Sequence, residues 1–380
     1  MATQEDLRSI FEFEMAAEGG VADPLDFPEP LRPTLTDMLA EFRSILASTA
    51  NAPAPSYIAH NVYVDIVDNP TLNAVAFESS GHEFIGVNAG SLLFLYDAFL
   101  SLFSHPGFMS DVGEANKERT TDDDLRTWLQ RKNVNHLHEL APLDPARAKA
   151  AQFLTINAYN FIFAHEVGHL TKGHLKYLEK AYGIFKYFAY EDKSATAFAA
   201  PLRHVLEIGA DENAAHGSLH MFKPRKYGKV LPDAGGLLCD FRSWAVSVGV
   251  VFALFDRHVE LHKAGSVSSH PTPDVRFLNV IWSAWEEIKK VVPDAFEAGT
   301  SQTLRASSEL NNFFTTIKMD TRPFLLVVPN EPGKTVRREL FEQVSALRNR
   351  LLEIENEQMA DLAAKRSDVL RQNLFTQGSS

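Results

Sequence analysis

The residues of this chain best suited to chemistry lie in the segment HEVGH, at positions 165–169. His165 and His169 stand four residues apart, so on a helix both imidazoles project from one face and can reach one metal ion. Glu166 follows the first histidine, where its carboxylate can take a proton from a metal-activated water molecule. The segment therefore predicts a metal centre with Glu166 as general base.

A catalytic metal ion needs a third protein ligand, and the sequence offers one in LEIGADENAAHG, at 206–217. We expect Glu207 to bind the metal and Asp211, on the same helical face, to accept the second N–H of a ligand histidine. The small Gly209 and Ala210 would let this helix approach the first one closely. Other carboxylates stay open as the third ligand: Glu191, Asp192 and Glu212.

One further histidine lies close to the motif. His174 comes five residues after His169, which places it about 140° around a continuous helix. We therefore expect His174 to flank the site rather than to bind in it.

Hydrolysis also requires a group that stabilises the oxyanion, and SSHPTPDVRFLNV at 268–280 supplies two candidates. His270 and Arg276 frame the predicted start of a helix, with two prolines shaping its entry. Either side chain can point at the reacting oxygen. The alternatives, a turn histidine and an arginine in a surface ion pair, stay open.

These motifs together resemble a known class of metallopeptidase. HEVGH, the E-x-x-A-D run that ends at Asp211 and the H-P-x-x-x-x-R run that ends at Arg276 resemble gluzincins of the HtpX and CAAX-prenyl-protease type. The upstream NAVAFESSGHEFIGVNAGSL resembles the segment before the zinc helix in that family. A weaker resemblance links the chain to soluble HExxH peptidases of the phage-exclusion (Lit) type.

The resemblance implies a fold, a cofactor and a way of binding substrate. The fold would be α+β and mostly α, a gluzincin core with a small β-sheet before the HExxH helix. The cofactor would be Zn²⁺, held by His165, His169 and Glu207. An extended protein or peptide substrate would pair with strand 83–88, which would form an edge of the sheet. The histidine and arginine of the last motif would lie near the oxyanion.

The elements that must position these residues follow from the hydrophobic pattern. Alternating apolar residues predict three strands, at 62–67, 74–77 and 83–88. Helical spacing predicts helices at 35–46, 90–104, 145–177, 202–219, 244–255 and after Pro273. Residues 181–201 have no clean period and are interpreted as a loop or lid. Residues 105–140 stay unassigned.

The same pattern suggests three parts of the chain. Residues 1–55 are predicted to be a helical segment with a linker, and 56–290 the metallopeptidase core. Residues 291–380 are predicted to hold a short strand near 323–329 and a long charged helix at 336–375. That helix is too short in heptads to predict a coiled coil, so the oligomeric state stays open.

Composition limits the possible partners. The net charge of −12 over 380 residues gives no electrostatic footprint for nucleic acid or an anionic membrane. The single cysteine, Cys239, makes no intramolecular disulfide, and the N-terminal MATQEDLRSIFEFEM lacks the pattern of a secretory signal. The longest apolar run, 244–255, covers about 18 Å as a helix and is too short for a bilayer. We therefore expect a cytoplasmic protein without membrane insertion.

The function expected from these residues is zinc-dependent hydrolysis of peptide bonds by an endopeptidase. Two alternatives use the same metal site without constant turnover. In one, the chain is a zinc-binding regulatory or sensor module. In the other it is a latent peptidase, blocked by His270 or by the insert at 181–201. A third class, an interaction protein whose C-terminal helix docks a partner beside a vestigial metal site, ranks last.

Overall fold

The structure is a computed structural model that describes residues 3–49, 62–129, 140–188, 200–221, 237–262, 273–291 and 296–317. The described helices are α1 Gln4–Met15, α2 Arg32–Thr49, α3 Ala89–Phe103, α4 Asp122–Leu129, α5 Pro145–Thr171, α6 His174–Tyr182, α7 Ala200–Met221, α8 Leu237–His262, α9 Pro273–Val291 and α10 Phe296–Thr316. The described strands are β1 Val62–Val67, β2 Ala74–Ser79, β3 His82–Asn88 and β4 Lys186–Phe188. The class is thus α+β and mostly helical, as the sequence predicts.

The four strands form one sheet in the order β1-β3-β2-β4. Strand β3 is parallel to β1 and antiparallel to β2, and it pairs with β1 over 83–88 and with β2 over 82–87. The expectation that residues 83–88 form an edge for substrate is therefore wrong, because both rows of backbone hydrogen-bonding groups are already used. Strand β4, which the sequence did not predict, lies beyond β2 at the edge of the described sheet.

Different helices cover the two faces of the sheet. Helix α1 lies on one face, in a small core made by Leu7, Phe11, Met15, Tyr63, Val67, Val75, Phe77 and Phe84. On the other face Ala76 and Ile85 join the large core that contains α3 and α5. Alternation along the strands produces this division, since successive side chains point to opposite faces. The HExxH motif on α5 lies on the second face.

Helix α5 begins and ends with clear local signals. Asp144 caps its N-terminus by accepting hydrogen bonds from the N–H groups of Ala146 and Arg147, and Pro145 takes the first helical position. The helix ends at Thr171, and Gly173 adopts a left-handed conformation with φ of 71°. A new helix, α6, starts at His174. The single helix predicted over 145–177 is therefore two helices, because glycine can adopt the left-handed conformation that interrupts the helix at 173.

Helices α5 and α7 pack at very short range through small residues. A Cβ added at Gly168 would lie 2.8 Å from the Cα of Ala210 and 2.9 Å from its carbonyl oxygen. Glycine in HEVGH and alanine in the second motif together allow this approach. The sequence predicts that Gly209 and Ala210 allow the close approach of the two helices. Ala210 lies at this contact, whereas Gly209 faces the ring of His174.

Some of the remaining predicted elements lie within the described residues, and others lie outside them. The helices predicted at 35–46, 90–104, 202–219, 244–255 and after Pro273 are confirmed as parts of α2, α3, α7, α8 and α9. Helices α4 and α10 were not predicted. The linker at 51–56 and the elements predicted beyond 317 lie outside the described residues, so the division into three parts stays a prediction. None of the described helices combines the length and apolarity needed to cross a membrane.

Candidate metal centre

Three side chains converge at the meeting of α5 and α7. The Nε2 atoms of His165 and His169 lie 3.1 Å apart. Glu207 places Oε2 3.5 Å from Nε2 of His165 and Oε1 3.8 Å from Nε2 of His169. Tetrahedral zinc with ligand distances near 2.0–2.1 Å separates its ligand atoms by about 3.3 Å. The donor set therefore fits one metal ion, and the three residues form a cluster that could hold it.

The ligand histidine His165 is oriented from its outer side. Its Nδ1 lies 2.9 Å from Oδ1 of Asp211, which is fully buried. Asp211 in turn accepts two hydrogen bonds from Arg276, at 2.7 and 2.8 Å. A carboxylate in this place fixes the tautomer of the histidine and directs its other nitrogen at the metal. The two carboxylates that the sequence places four residues apart, Glu207 and Asp211, thus lie together beside His165.

The second histidine, His169, is oriented by a residue expected only to flank the site. Its Nδ1 lies 3.0 Å from Nδ1 of His174. The sequence places this ring about 140° around one continuous helix, but α5 ends at Thr171 and a new helix begins at His174. His174 therefore contacts His169, although it is not one of the three residues of the cluster. Burial lowers the pKa of His174 to about 3, so this ring is neutral and one of its nitrogens can accept a hydrogen bond.

Glu207 is held by two further side chains. Its Oε1 accepts a hydrogen bond of 2.6 Å from the hydroxyl of Tyr187 on β4, and its Oε2 lies 3.1 Å from Nη2 of Arg276. Burial raises the pKa of Tyr187, so the phenol keeps its proton and acts as donor. Sequence reasoning missed Tyr187, because KYF is too short to be recognised as a strand.

Glu166 lies beside the cluster and differs from the other acidic residues there. It is 1% exposed, and neither carboxylate oxygen has a hydrogen-bond partner among the described residues. Burial raises the pKa of this carboxyl group to about 8. A buried, unpartnered carboxylate is costly unless something else interacts with it, and a bound metal ion with its water supplies that interaction.

The charge state of His165 in the absence of metal follows from its neighbours. Burial alone would lower its pKa, but hydrogen bonds to Asp211 and Glu207 raise it to about 10. For His169, burial and the nearby charge of His165 lower the pKa. The site thus concentrates negative charge from Glu207 and Asp211 around one imidazole. Such an arrangement suits a cation.

A small cavity lies next to Glu166. Its walls are mainly apolar, and their polar members are Asn73, which precedes β2, Ser91 on α3 and residues of the metal centre. It is lined by Asn73, Ala74, Ser91, Phe161, Ile162, His165, Glu166, Val251, Phe252 and Arg276. The metal centre therefore adjoins a small and mainly apolar cavity.

The remaining candidates for the third ligand and for the oxyanion lie in different places. Glu212 lies 3.9 Å from Lys172, is partly exposed and is not one of the three residues of the cluster. His270, Glu191 and Asp192 lie outside the described residues. Arg276 reaches the site, but its guanidinium contacts the carboxylates of Asp211 and Glu207 and lines the cavity.

The family comparison agrees with this geometry. Residues 110–285 match the family model described as Peptidase U49, which is the Lit-type peptidase family. The match covers a little under half of the chain and includes all the ligand candidates. It supports a peptidase, and it supports the weaker of the two resemblances found in the sequence. No curated protein and no solved structure matches the chain, and the gluzincin assignment stays a prediction.

Proposed function

We propose that this protein is a zinc-dependent peptidase of the gluzincin type that hydrolyses peptide bonds of protein or peptide substrates. The observation that carries the proposal is the convergence of His165, His169 and Glu207 beside the unpartnered carboxylate of Glu166. A hydrolytic metal centre needs three protein ligands, an open position and a base, and these residues supply them. The match with Peptidase U49 supports the reaction class.

Each residue has a distinct part in the proposed reaction. A zinc ion held by the three ligands would polarise the scissile carbonyl and lower the pKa of a water molecule. Glu166 accepts the proton of the attacking water and passes it to the leaving amine. Asp211 keeps His165 in the tautomer whose Nε2 lone pair faces the centre of the cluster.

Substrate binding is proposed at the cavity. A peptide lying across the metal centre can place one side chain between Ala74, Ile162 and Val251, where apolar walls favour an apolar group. Arg276, which lines the same cavity, and His270 are proposed as the groups near the oxyanion. Residues 83–88 are not proposed as a binding edge for the peptide backbone, because this strand is paired with a neighbour on each side.

The first experiment measures metal content and cleavage together. We expect about one zinc per chain by elemental analysis in the wild type, and a strong loss in Glu207→Ala. Glu212→Ala is the matched control, because it removes the same side chain from the same helix without touching the cluster. An unfolded protein such as reduced casein serves as substrate, with a chelator as control.

The outcomes separate the proposal from its alternatives. A wild-type protein that takes up no metal when zinc is supplied contradicts the proposal at its root. Metal uptake without any cleavage favours one of the two alternatives without constant turnover, the zinc-binding regulatory module or the latent peptidase. Cleavage by the wild type and none by Glu166→Gln, with metal content unchanged, is the result expected for the peptidase.

A further inference from the structure

Strand β4 brings a side chain to the metal centre that none of the sequence motifs contains. Tyr187 is 1% exposed, and its hydroxyl donates a hydrogen bond of 2.6 Å to Oε1 of Glu207. Its ring also lies against the ring of His169, with 4.6 Å between the centroids. One side chain thus contacts both the carboxylate and the second histidine of the cluster.

The position of Tyr187 is fixed by the sheet. Tyr187 pairs with Ala76 of β2. Since the N–H of Glu78 donates to the carbonyl of Phe185, alternation along the antiparallel ladder makes Ala76 and Tyr187 a hydrogen-bonded pair. The neighbouring residue, Lys186, points to the opposite face.

Lys186 anchors the strand from that opposite face. Its ammonium lies 2.8 Å from the carboxylate of Glu14 on α1 and also donates a hydrogen bond to the carbonyl of Glu14. It stands over the ring of Phe77 as well, 5.5 Å from the centroid. The backbone of β4 is thereby held on both sides, and the phenol of Tyr187 has a defined place.

The two oxygens of Glu207 face different neighbours. Oε2 lies 3.5 Å from the ligand nitrogen of His165 and 3.1 Å from Arg276, whereas Oε1 receives the phenol. The terminal torsion of a glutamate has a broad energy profile, so the carboxylate plane needs such contacts to stay in one orientation. Oε1 also lies 3.8 Å from Nε2 of His169, so the hydrogen bond from Tyr187 sets how the carboxylate plane faces both ligand histidines.

We propose that Tyr187 is a positioning residue that orients the carboxylate of Glu207 as a metal ligand and couples the sheet edge to the metal centre. This inference rests on the proposed metal site, but it concerns metal binding and not the cleavage step. A purely structural role would depend on the ring of Tyr187, whereas the positioning role depends on its hydroxyl. Tyr187→Phe separates the two because it removes only the oxygen.

The test is a competition titration of Zn²⁺ and Co²⁺ against a chromogenic chelator, together with the visible spectrum of the Co²⁺ protein. We expect Tyr187→Phe to bind metal about 10- to 100-fold more weakly than the wild type, the usual effect of losing a residue that orients a ligand. We also expect its Co²⁺ absorption bands to shift, because the geometry of Glu207 changes. Wild-type affinity and an unchanged spectrum would overturn the inference.

Tyr159→Phe is the matched control. It also removes a buried tyrosine hydroxyl, one that donates to the carbonyl of Leu92 away from the metal centre. We expect its metal affinity and Co²⁺ spectrum to equal those of the wild type. An equal loss in both variants would show a general effect of buried hydroxyls and would also overturn the inference.

A measurement on the unmodified protein covers the case in which Tyr187→Phe does not fold. Zinc should slow amide hydrogen exchange over 185–188 along with that over 165–169, because the phenol links β4 to the ligand set. Unchanged exchange over 185–188 would overturn the inference. If the wild type binds metal normally and cleaves nothing, the proposed function fails while the inference stands. If it binds no metal, both fail.

Discussion

His174 lies with its Nδ1 3.0 Å from Nδ1 of His169, although the helical periodicity of the sequence places the two rings on different faces. The contact exists because α5 ends at Thr171, Gly173 adopts a left-handed conformation and a new helix begins at His174 itself. A histidine that binds a metal through Nε2 carries its proton on Nδ1, and a neutral imidazole is a suitable acceptor for it. His174 is therefore placed to accept a hydrogen bond from Nδ1 of His169, as Asp211 is for Nδ1 of His165.

The first prediction follows from this pairing. His174→Leu removes the acceptor, and we expect metal affinity to fall about 10- to 100-fold. His174→Asn keeps a polar atom near the position of Nδ1 and should retain most of the affinity. Competition titration with a chelator measures both. Equal affinity in the leucine variant and the wild type would show that His174 is only a packing residue.

A second prediction concerns the buried charge pair behind His165. In Asp211→Asn, Arg276 loses the carboxylate that holds it at 2.7 Å. We expect the free energy of unfolding of the metal-free protein to fall by about 1–3 kcal/mol, because Arg276 keeps Glu207 as a partner but its two buried hydrogen bonds to the Asp211 carboxylate are weakened or lost. Urea unfolding gives the stability change.

The control for this variant is Asp111→Asn. Asp111 also pairs with arginines, Arg242 and Arg305, but its side chain is 46% exposed. Such pairs contribute about 0–1 kcal/mol, so a small change is expected. Equal losses in the two variants would contradict the special role assigned to burial at Asp211.

A third prediction tests the close approach of α5 and α7. Gly168→Ala would place a Cβ 2.8 Å from the Cα of Ala210, and backbone atoms cannot move aside. Overpacking of about 1–3 kcal/mol should exceed the gain of about 1 kcal/mol in helix propensity. We expect lower stability and weaker metal binding, since the helix carrying Glu207 is displaced.

Gly209→Ala is its control for stability. The added Cβ would meet the ring of His174 at an ordinary 3.4 Å, so helix propensity should dominate and the melting temperature should stay or rise. A Gly168→Ala variant as stable as Gly209→Ala would contradict the close packing.

The sequence predicts those parts of the site that depend on local spacing. His165 and His169 share a face because they are four residues apart, and Glu207 and Asp211 share one for the same reason. Both pairs require only that the segments be helical. The apolar context of each segment is enough to establish that.

The parts that sequence reasoning missed depend on contacts between distant segments or on a change of direction. Tyr187 reaches Glu207 only because three residues pair with β2. His174 reaches His169 only because Gly173 ends a helix that periodicity would continue. The interior position of β3 likewise follows from pairing with β1 residues that lie 21 positions earlier, which the alternating pattern of one strand does not specify.

The last prediction concerns the cavity beside Glu166. Val251 on α8 lines it, whereas Val248 on the same helix is equally buried in the core but does not. Val251→Ala should enlarge the space and shift cleavage toward substrates with larger apolar side chains, by about tenfold in relative kcat/KM, the discrimination that one or two methylenes give. Val248→Ala removes the same atoms and should leave the preference unchanged. Mass spectrometry of the fragments from an unfolded protein mixture measures the residues that flank each cut. The same flanking residues in both variants and the wild type would show that substrate side chains bind elsewhere.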